Sequence, residues 1–374
     1  MPLDSLEFRT SLQKLLVGLI LILVPLTVFG FYVALQGDSH IRQVNGENFR
    51  SLTFTAAEST SAFVGGCVRD VSVLANTPGP LQAVSLANRQ YEHLSEEALR
   101  TKIGAIEQTW ESSETDGLSQ KILTSDLARQ LRRVRELNPT LLKITVADVT
   151  GAAVAATDRP AHYYQGEGES WQAISSGGLG AIHVSDLRYD DKSRLYYLSI
   201  AYPILQEGTG KFIGAVTAMA DVSPLFAQLN RQPMGRTGRL FLVREDGSVI
   251  EAPGVTPAMK IKSEEYAAIR DALGSLRGRE AGYIFATLPN GESYLIGFAD
   301  TGLKEAYPNL PWIVLASQEA REVTGPVRNM TAFALLAMIL ALLMLTLLGA
   351  HVFLHRTQKL EDIETPGDKE PPAA

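Results

Sequence analysis

The side chains able to do chemistry are scattered, and their spacing excludes the common catalytic patterns. The six histidines, His40, His93, His162, His183, His351 and His355, are spread along the chain, and no His-Glu-x-x-His motif occurs. There is no Gly-x-Ser-x-Gly nucleophile turn, the single cysteine, Cys67, rules out Cys-x-x-Cys, and Gly208-Thr-Gly-Lys211 lacks the spacing of a phosphate loop. Asp186, Asp190 and Asp191 cluster, but without the Asp-x-Asp-x-Asp-Gly spacing of a calcium loop. These absences argue for a binding protein with no catalytic residue, no metal and no cofactor. Asp221 stands apart, because it ends the apolar run Phe212 to Ala220. A carboxylate at a buried strand end costs free energy unless something pairs with it, so it suits capture of a positive group. A net charge of −7 offers no basic face for phosphate, which excludes a nucleic-acid partner.

The elements that must position these groups begin with two uncharged runs, Leu15 to Leu35 and Met330 to Ala350, 21 residues each. About 20 apolar residues in a helix cross a bilayer. Arg9 and Lys14 precede the first run, as in a signal peptide, but its end, Val33-Ala34-Leu35-Gln36, has no small-x-small cleavage site, so it reads as an uncleaved anchor. Pro25 is tolerable in a membrane helix. Basic residues outside both runs (Arg9, Lys14, His355-Arg356, Lys359) place both termini in the cytoplasm, against the nearby Arg42, Arg321 and Arg328. The 293 residues from Gly37 to Asn329 have room for two modules. The 20 residues from His355 to Ala374 are too few for a core, so any output is expected in a separate polypeptide.

Beyond the first span, Phe49, Leu52, Ala56, Phe63, Cys67 and Leu74 fall at steps of 3, 4, 7, 4 and 7, a 3.5-residue seam with gaps around Ser59 and Asp70, as on a long helix that packs either a twin copy or its own module. Asn76 to Gly79, with Pro78, interrupts it. A further helix is expected from the cap candidates Thr124-Ser125-Asp126 to Asn138-Pro139. From residue 141 the pattern changes to short β-type runs: 142–147, 152–156, 181–185, 195–203 and 212–220, then 240–243, 248–251, 282–286, 294–299 and 312–317. Ile144 to Gly151 echoes Leu240 to Gly247, and both sets read as two strands, an intervening segment and three strands. The fold class is α+β, two tandem modules with antiparallel sheets.

Several segments carry a resemblance to a family. They are Val146-Ala-Asp-Val-Thr-Gly151, Tyr163-Tyr-Gln-Gly-Glu167 with Trp171, Val184-Ser-Asp-Leu-Arg-Tyr-Asp190, Ile200-Ala-Tyr-Pro-Ile204, Phe212 to Asp221, and Gly235-Arg-Thr-Gly238 with Asp246-Gly247. Together they resemble the double Cache domain, the tandem PAS-like extracellular sensor of bacterial chemoreceptors and sensor kinases. With the two spans and termini already read, the resemblance completes the expected order: a cytoplasmic N-terminus (1–14), a transmembrane helix (15–36), a helical stalk with further helices (37–138), a membrane-distal Cache module (139–230), a membrane-proximal one (231–328), a second transmembrane helix (329–354) and a disordered cytoplasmic tail (355–374). Family members that bind amino acids hold them in the distal module. Tyr164 and Trp171 are similar to that motif's first Tyr and its Trp, Tyr189 and Asp191 to its later Tyr and Asp, and Asp221 to its terminal Asp. The motif's Arg is replaced by Glu169, and the Tyr after the Trp by Gln172. Glu169 would repel a carboxylate that a guanidinium would anchor, whereas the three aromatic rings and the aspartates still suit a cation. The expectation is a homodimeric periplasmic or extracellular sensor in the inner membrane that binds an amine or cationic metabolite and signals to a kinase or chemoreceptor-type partner. A ligand-independent scaffold subunit is the alternative.

Overall fold

A computed structural model describes residues 4–112, 117–175, 181–255, 260–274, 280–325, 333, 335–336 and 338–350. The chain divides into two units, Met1–Glu47 with Ala320–Ala374, and Asn48–Glu319. The helices are α1 (Asp4–Ala75), α2 (Pro78–Arg89), α3 (Glu96–Ser112), α4 (Gly117–Thr124) and α5 (Asp126–Leu137), followed by strands β1 (Leu141–Asp148) and β2 (Ala153–Ala156). After these come α6 (Glu169–Ser175), β3 (His183–Val184), β4 (Arg188–Asp190), β5 (Leu195–Leu205), β6 (Phe212–Asp221) and α7 (Ser223–Asn230). The second half holds β7 (Arg239–Arg244), β8 (Val249–Glu251), α8 (Glu264–Gly274), β9 (Ala281–Thr287), β10 (Ser293–Asp300), α9 (Leu303–Ala306) and β11 (Trp312–Glu319).

In the first unit, Leu21, Val28, Phe29 and Tyr32 of α1 and Phe333, Leu340 and Leu347 near the chain's other end are exposed. Among the described residues no helix is long and apolar enough to cross a membrane. Both expected spans contain side chains outside the described residues, and the expected tail, 355–374, lies wholly outside them.

In the second unit, α1 ends at Ala75 because Thr77 is extended (ψ 154°) ahead of Pro78, which starts α2. The buried face of α1 runs through Phe49, Thr53, Ala56, Thr60, Val64, Cys67, Val71 and Leu74. It therefore packs on its own unit. Two polar side chains on this face, Thr53 and Thr60, are satisfied locally, because their hydroxyls donate to the carbonyls four residues back. Ser125 caps α5, accepting from the Ala128 N–H at 3.1 Å, and the helix stops before Asn138-Pro139.

Two sheets follow the same plan. The first has the order β2-β1-β6-β5-β3, with β4 also on β5; the second has β8-β7-β11-β10-β9. The described strand pairs are antiparallel. The repeat extends to the turns. Gly151 (φ 91°) and Gly247 (φ 83°) both close the first hairpin of their set with left-handed backbone. At Gly151 a Cβ would lie 2.8 Å from the Gly166 nitrogen and 3.2 Å from the Trp171 ring, so its absence lets the 164–168 loop close on the turn. Bonds that join the halves include Arg244 Nε donating to Asp186 Oδ2 (2.8 Å), Asn309 Nδ2 donating to the Val184 carbonyl (3.1 Å) and Asn230 Nδ2 donating to Glu251 Oε1 (2.8 Å).

Candidate functional site

Side chains alternate along a strand, and directly paired residues share a face. The registers Ala147↔Ala215, Thr145↔Thr217 and Lys143↔Met219, then Ser199↔Met219, Ala201↔Thr217 and Tyr197↔Asp221, define one face of the first sheet. His183 joins it opposite Ala201, and Arg188 opposite Tyr197. The other face carries Ile144, Val146, Leu198, Ile200, Ala218 and Ala220, all buried; α2 and α5 pack on this sheet. The first face is covered at one end by α6, whose Trp171 and Ile174 pack with Ala147, Ala201, Phe212 and Ala215. Trp171 meets Phe212 edge-on at a centroid distance of 5.6 Å.

Towards Tyr197 the floor becomes polar. Arg188 Nη2 donates to Glu169 Oε2 at 2.6 Å, bridging β4 and the first residue of α6. Lys143 Nζ donates to both oxygens of Asp190, at 3.1 and 3.0 Å. Asp190 also accepts from the Ser193 hydroxyl and N–H. The Ser193 hydroxyl, joined by the Lys143 contact and opposed by burial, holds the Asp190 carboxyl below the usual range. Asp221 accepts through Oδ1 from the Ser223 N–H (2.8 Å) and hydroxyl (2.6 Å), forming the turn into α7. His183 is 9% exposed, and its Nε2 has no hydrogen-bond partner among the described residues. Burial pushes this imidazole's pKa down; Glu169 opposes that and Arg188 adds to it.

Of the residues singled out from sequence, Glu169, Trp171 and Asp221 belong to this face. Trp171 lies within the apolar cluster, and Glu169 is exposed but paired. Tyr189 pairs with Tyr196 and points to the other face, where the two rings meet tilted at 53° with centroids 4.9 Å apart. Asp191 is exposed in the turn after β4. Tyr164 forms an isolated bridge with Ala152, and its ring folds over Gly166. It borders a cavity of about 760 Å³ lined by Arg100, Glu107 and Glu111 of α3 and by His162. Arg188, Asp190 and Lys143 were not anticipated as site residues. Their signal was the alternation of Arg188-Tyr189-Asp190, which presents the first and third residues to the face. Glu107, Glu111 and His162, which bring three potential ligand atoms within 4.8 Å of one another, lie outside this face.

The Cache domain family matches residues 41–327. No curated protein matches the chain. Among solved structures it is similar to the ligand-binding domain of the Pseudomonas aeruginosa PAO1 amino acid chemoreceptor PctC in complex with GABA. The identity is 15%, covering 74% of this chain and 100% of that one, with a TM-score of 0.48. It is also similar to the ligand-binding domain of the Campylobacter jejuni chemoreceptor Tlp3 in complex with 4-methylisoleucine, at 13% identity, 76% and 93% coverage and a TM-score of 0.47. With the Pseudomonas aeruginosa PAO1 chemoreceptor PctB in complex with L-Arg the values are 17%, 75%, 97% and 0.45. The family match over most of the length, on two sheets of one repeated strand order, establishes that the chain belongs to the Cache domain family.

Proposed function

We propose that the chain is a membrane-anchored extracytoplasmic sensor whose first Cache module, 139–230, binds a small ligand bearing an ammonium group. The observation that carries the ligand class is a charge imbalance on the site face. Glu169 is matched by Arg188 and Asp190 by Lys143, while no cation pairs Asp221 among the described residues. Asp221 is half-buried and uses Oδ1 for the α7 turn. Oδ2 is therefore placed to accept a charge-assisted hydrogen bond. An α-amino acid would need a guanidinium for its carboxylate, and Arg188 is already engaged by Glu169. The two uncharged runs, with their outward apolar side chains, support two membrane spans around the sensor. A homodimer passing the signal to a kinase or chemoreceptor-type partner completes the reading.

The scaffold alternative is favoured by one observation: the Trp171 ring is committed to the apolar cluster. A thermal-shift screen of the full chain in detergent against primary amines, quaternary ammonium compounds, α-amino acids and dicarboxylates separates the readings. An amine at about 100 times its dissociation constant adds roughly 2.7 kcal/mol, and Asp221→Asn removes that gain. Stabilisation by an amino acid that survives Asp221→Asn but is lost in Arg188→Ala overturns the amine assignment. No shift across the panel leaves the scaffold.

A further inference from the structure

We propose that Glu107, Glu111 and His162 form a binding site for a divalent transition-metal ion, with zinc the best-suited occupant. The three side chains converge: His162 Nδ1 lies 3.0 Å from Glu107 Oε1 and 3.9 Å from Glu111 Oε1, and all three ligand atoms are within 4.8 Å of one another. Four-coordinate zinc with bonds of 2.0–2.1 Å sets its donors about 3.3 Å apart. Both imidazole separations bracket that value. The wider separation closes by rotation of Glu111 and His162, whose side chains are 60% and 64% exposed.

The helix and the loop that carry the three side chains are held together without an ion. Glu107 and Glu111 lie one turn apart on the same face of α3, where like charges disfavour each other unless a cation sits between them. His162 comes from a loop pinned to that helix at several points. The buried Trp110 of α3 donates its indole N–H to the Pro160 carbonyl (3.1 Å). Arg159 returns a bond to the Trp110 carbonyl (2.6 Å) and stacks on the indole, 4.1 Å from its ring centre. The Tyr164 N–H donates to Glu107 Oε2 (2.7 Å), which fixes that carboxylate and leaves Oε1 for the ion. Such an outer partner is what a metal-binding carboxylate requires.

One imidazole nitrogen with two carboxylate oxygens suits zinc and its transition-metal neighbours; calcium takes six to eight oxygens, and magnesium keeps most of its waters. Three protein donors leave a coordination position open. The adjoining cavity of about 760 Å³ gives solvent or a ligand atom access to it. The ion would displace the proton that His162 Nδ1 shares with Glu107.

The test uses the untagged full chain in detergent, stripped with a chelator. Zinc, magnesium and calcium chlorides are titrated calorimetrically, and cobalt chloride is followed by visible absorption. The expected result is saturable uptake of one zinc ion per chain without a magnesium or calcium response. His162→Ala and Glu111→Gln should each weaken zinc binding at least about tenfold and abolish the cobalt absorption. Their melting temperatures in chelator should match the parent, which separates loss of a ligand from loss of the fold. Absence of saturable zinc uptake, or uptake that survives both substitutions, overturns the proposal.

Discussion

Removing the positive partner of Glu265 should destabilise the second half of the chain in a pH-dependent way. Glu265 is 1% exposed on α8, where its carboxylate accepts from Arg239 of β7, from the Ser317 hydroxyl of β11 (3.1 Å) and from the Ser263 hydroxyl (2.9 Å). Burial alone would push its pKa up; the Arg239 charge and these hydrogen bonds more than offset it, so the carboxyl is held below its ordinary value. Arg239→Met leaves a buried carboxylate with hydroxyl donors only. Breaking a fully buried pair costs about 3–5 kcal/mol. The Arg239 side chain is 45% exposed, and solvent screening brings the expected loss to about 2–3 kcal/mol at pH 7. For a domain of this size that is a fall of roughly 4–12 °C in melting temperature. In the parent the depressed pKa contributes stability above the unfolded carboxyl value, which is lost as pH falls through the folded one. In the variant the carboxyl titrates above its unfolded value, so its penalty is greatest at neutral pH and the two proteins converge towards pH 4. Arg239→Met combined with Glu265→Leu should recover most of the loss. Thermal and urea unfolding at pH 7 and pH 4 provide the measurement. A loss under about 1 kcal/mol, or one of equal size at both pH values, would refute the assignment of Glu265 as a buried anion anchored by Arg239.

Two further outcomes are expected. Burial pushes the Cys67 thiol up to about 11, so maleimide labelling should be slow in the folded chain at pH 7.5 and complete in denaturant; rapid native labelling would show that the inner face of α1 is open. At Gly297 of β10 a Cβ would lie 2.9 Å from the Phe49 carbonyl oxygen of α1, so Gly297→Ala should cost about 1–3 kcal/mol by calorimetry, and an unchanged melting temperature would contradict that close approach.

The parts of the fold that could be read from sequence are those with strong local signals. The runs around residues 142–147 and 240–243 were visible from their apolar β-type residues and Asp-Gly or Thr-Gly turns, and they appear as β1 and β7. β4 was not, because Arg188-Tyr189-Asp190 is short and polar and gains its structure only by pairing with β5. Of α3 the sequence offers little stripe, since its buried residues are Ile103 and Trp110, two turns apart. In the site, Asp221 was conspicuous as a charge closing an apolar run. The counter-charges were not: Lys143 meets Asp190 across 47 positions. Which of Arg188, Tyr189 and Asp190 faces α6 depends on a register in which a slip of one residue turns every side chain over.

The short stretch 183–190 faces in two directions at once. His183, Arg188 and Asp190 contribute to the face beneath α6, while the Val184 carbonyl and the Asp186 carboxylate are held by Asn309 and Arg244 of the second sheet's half. A ligand bound on that face, as proposed, would act on the same piece of backbone that the neighbouring half grips. Thermodynamic reciprocity follows. Under the proposed function, a ligand on that face that alters the Arg244–Asp186 contact has its own affinity altered by the same factor when the contact is loosened, and couplings of this kind are typically worth about 1–3 kcal/mol, or roughly 5- to 150-fold in affinity.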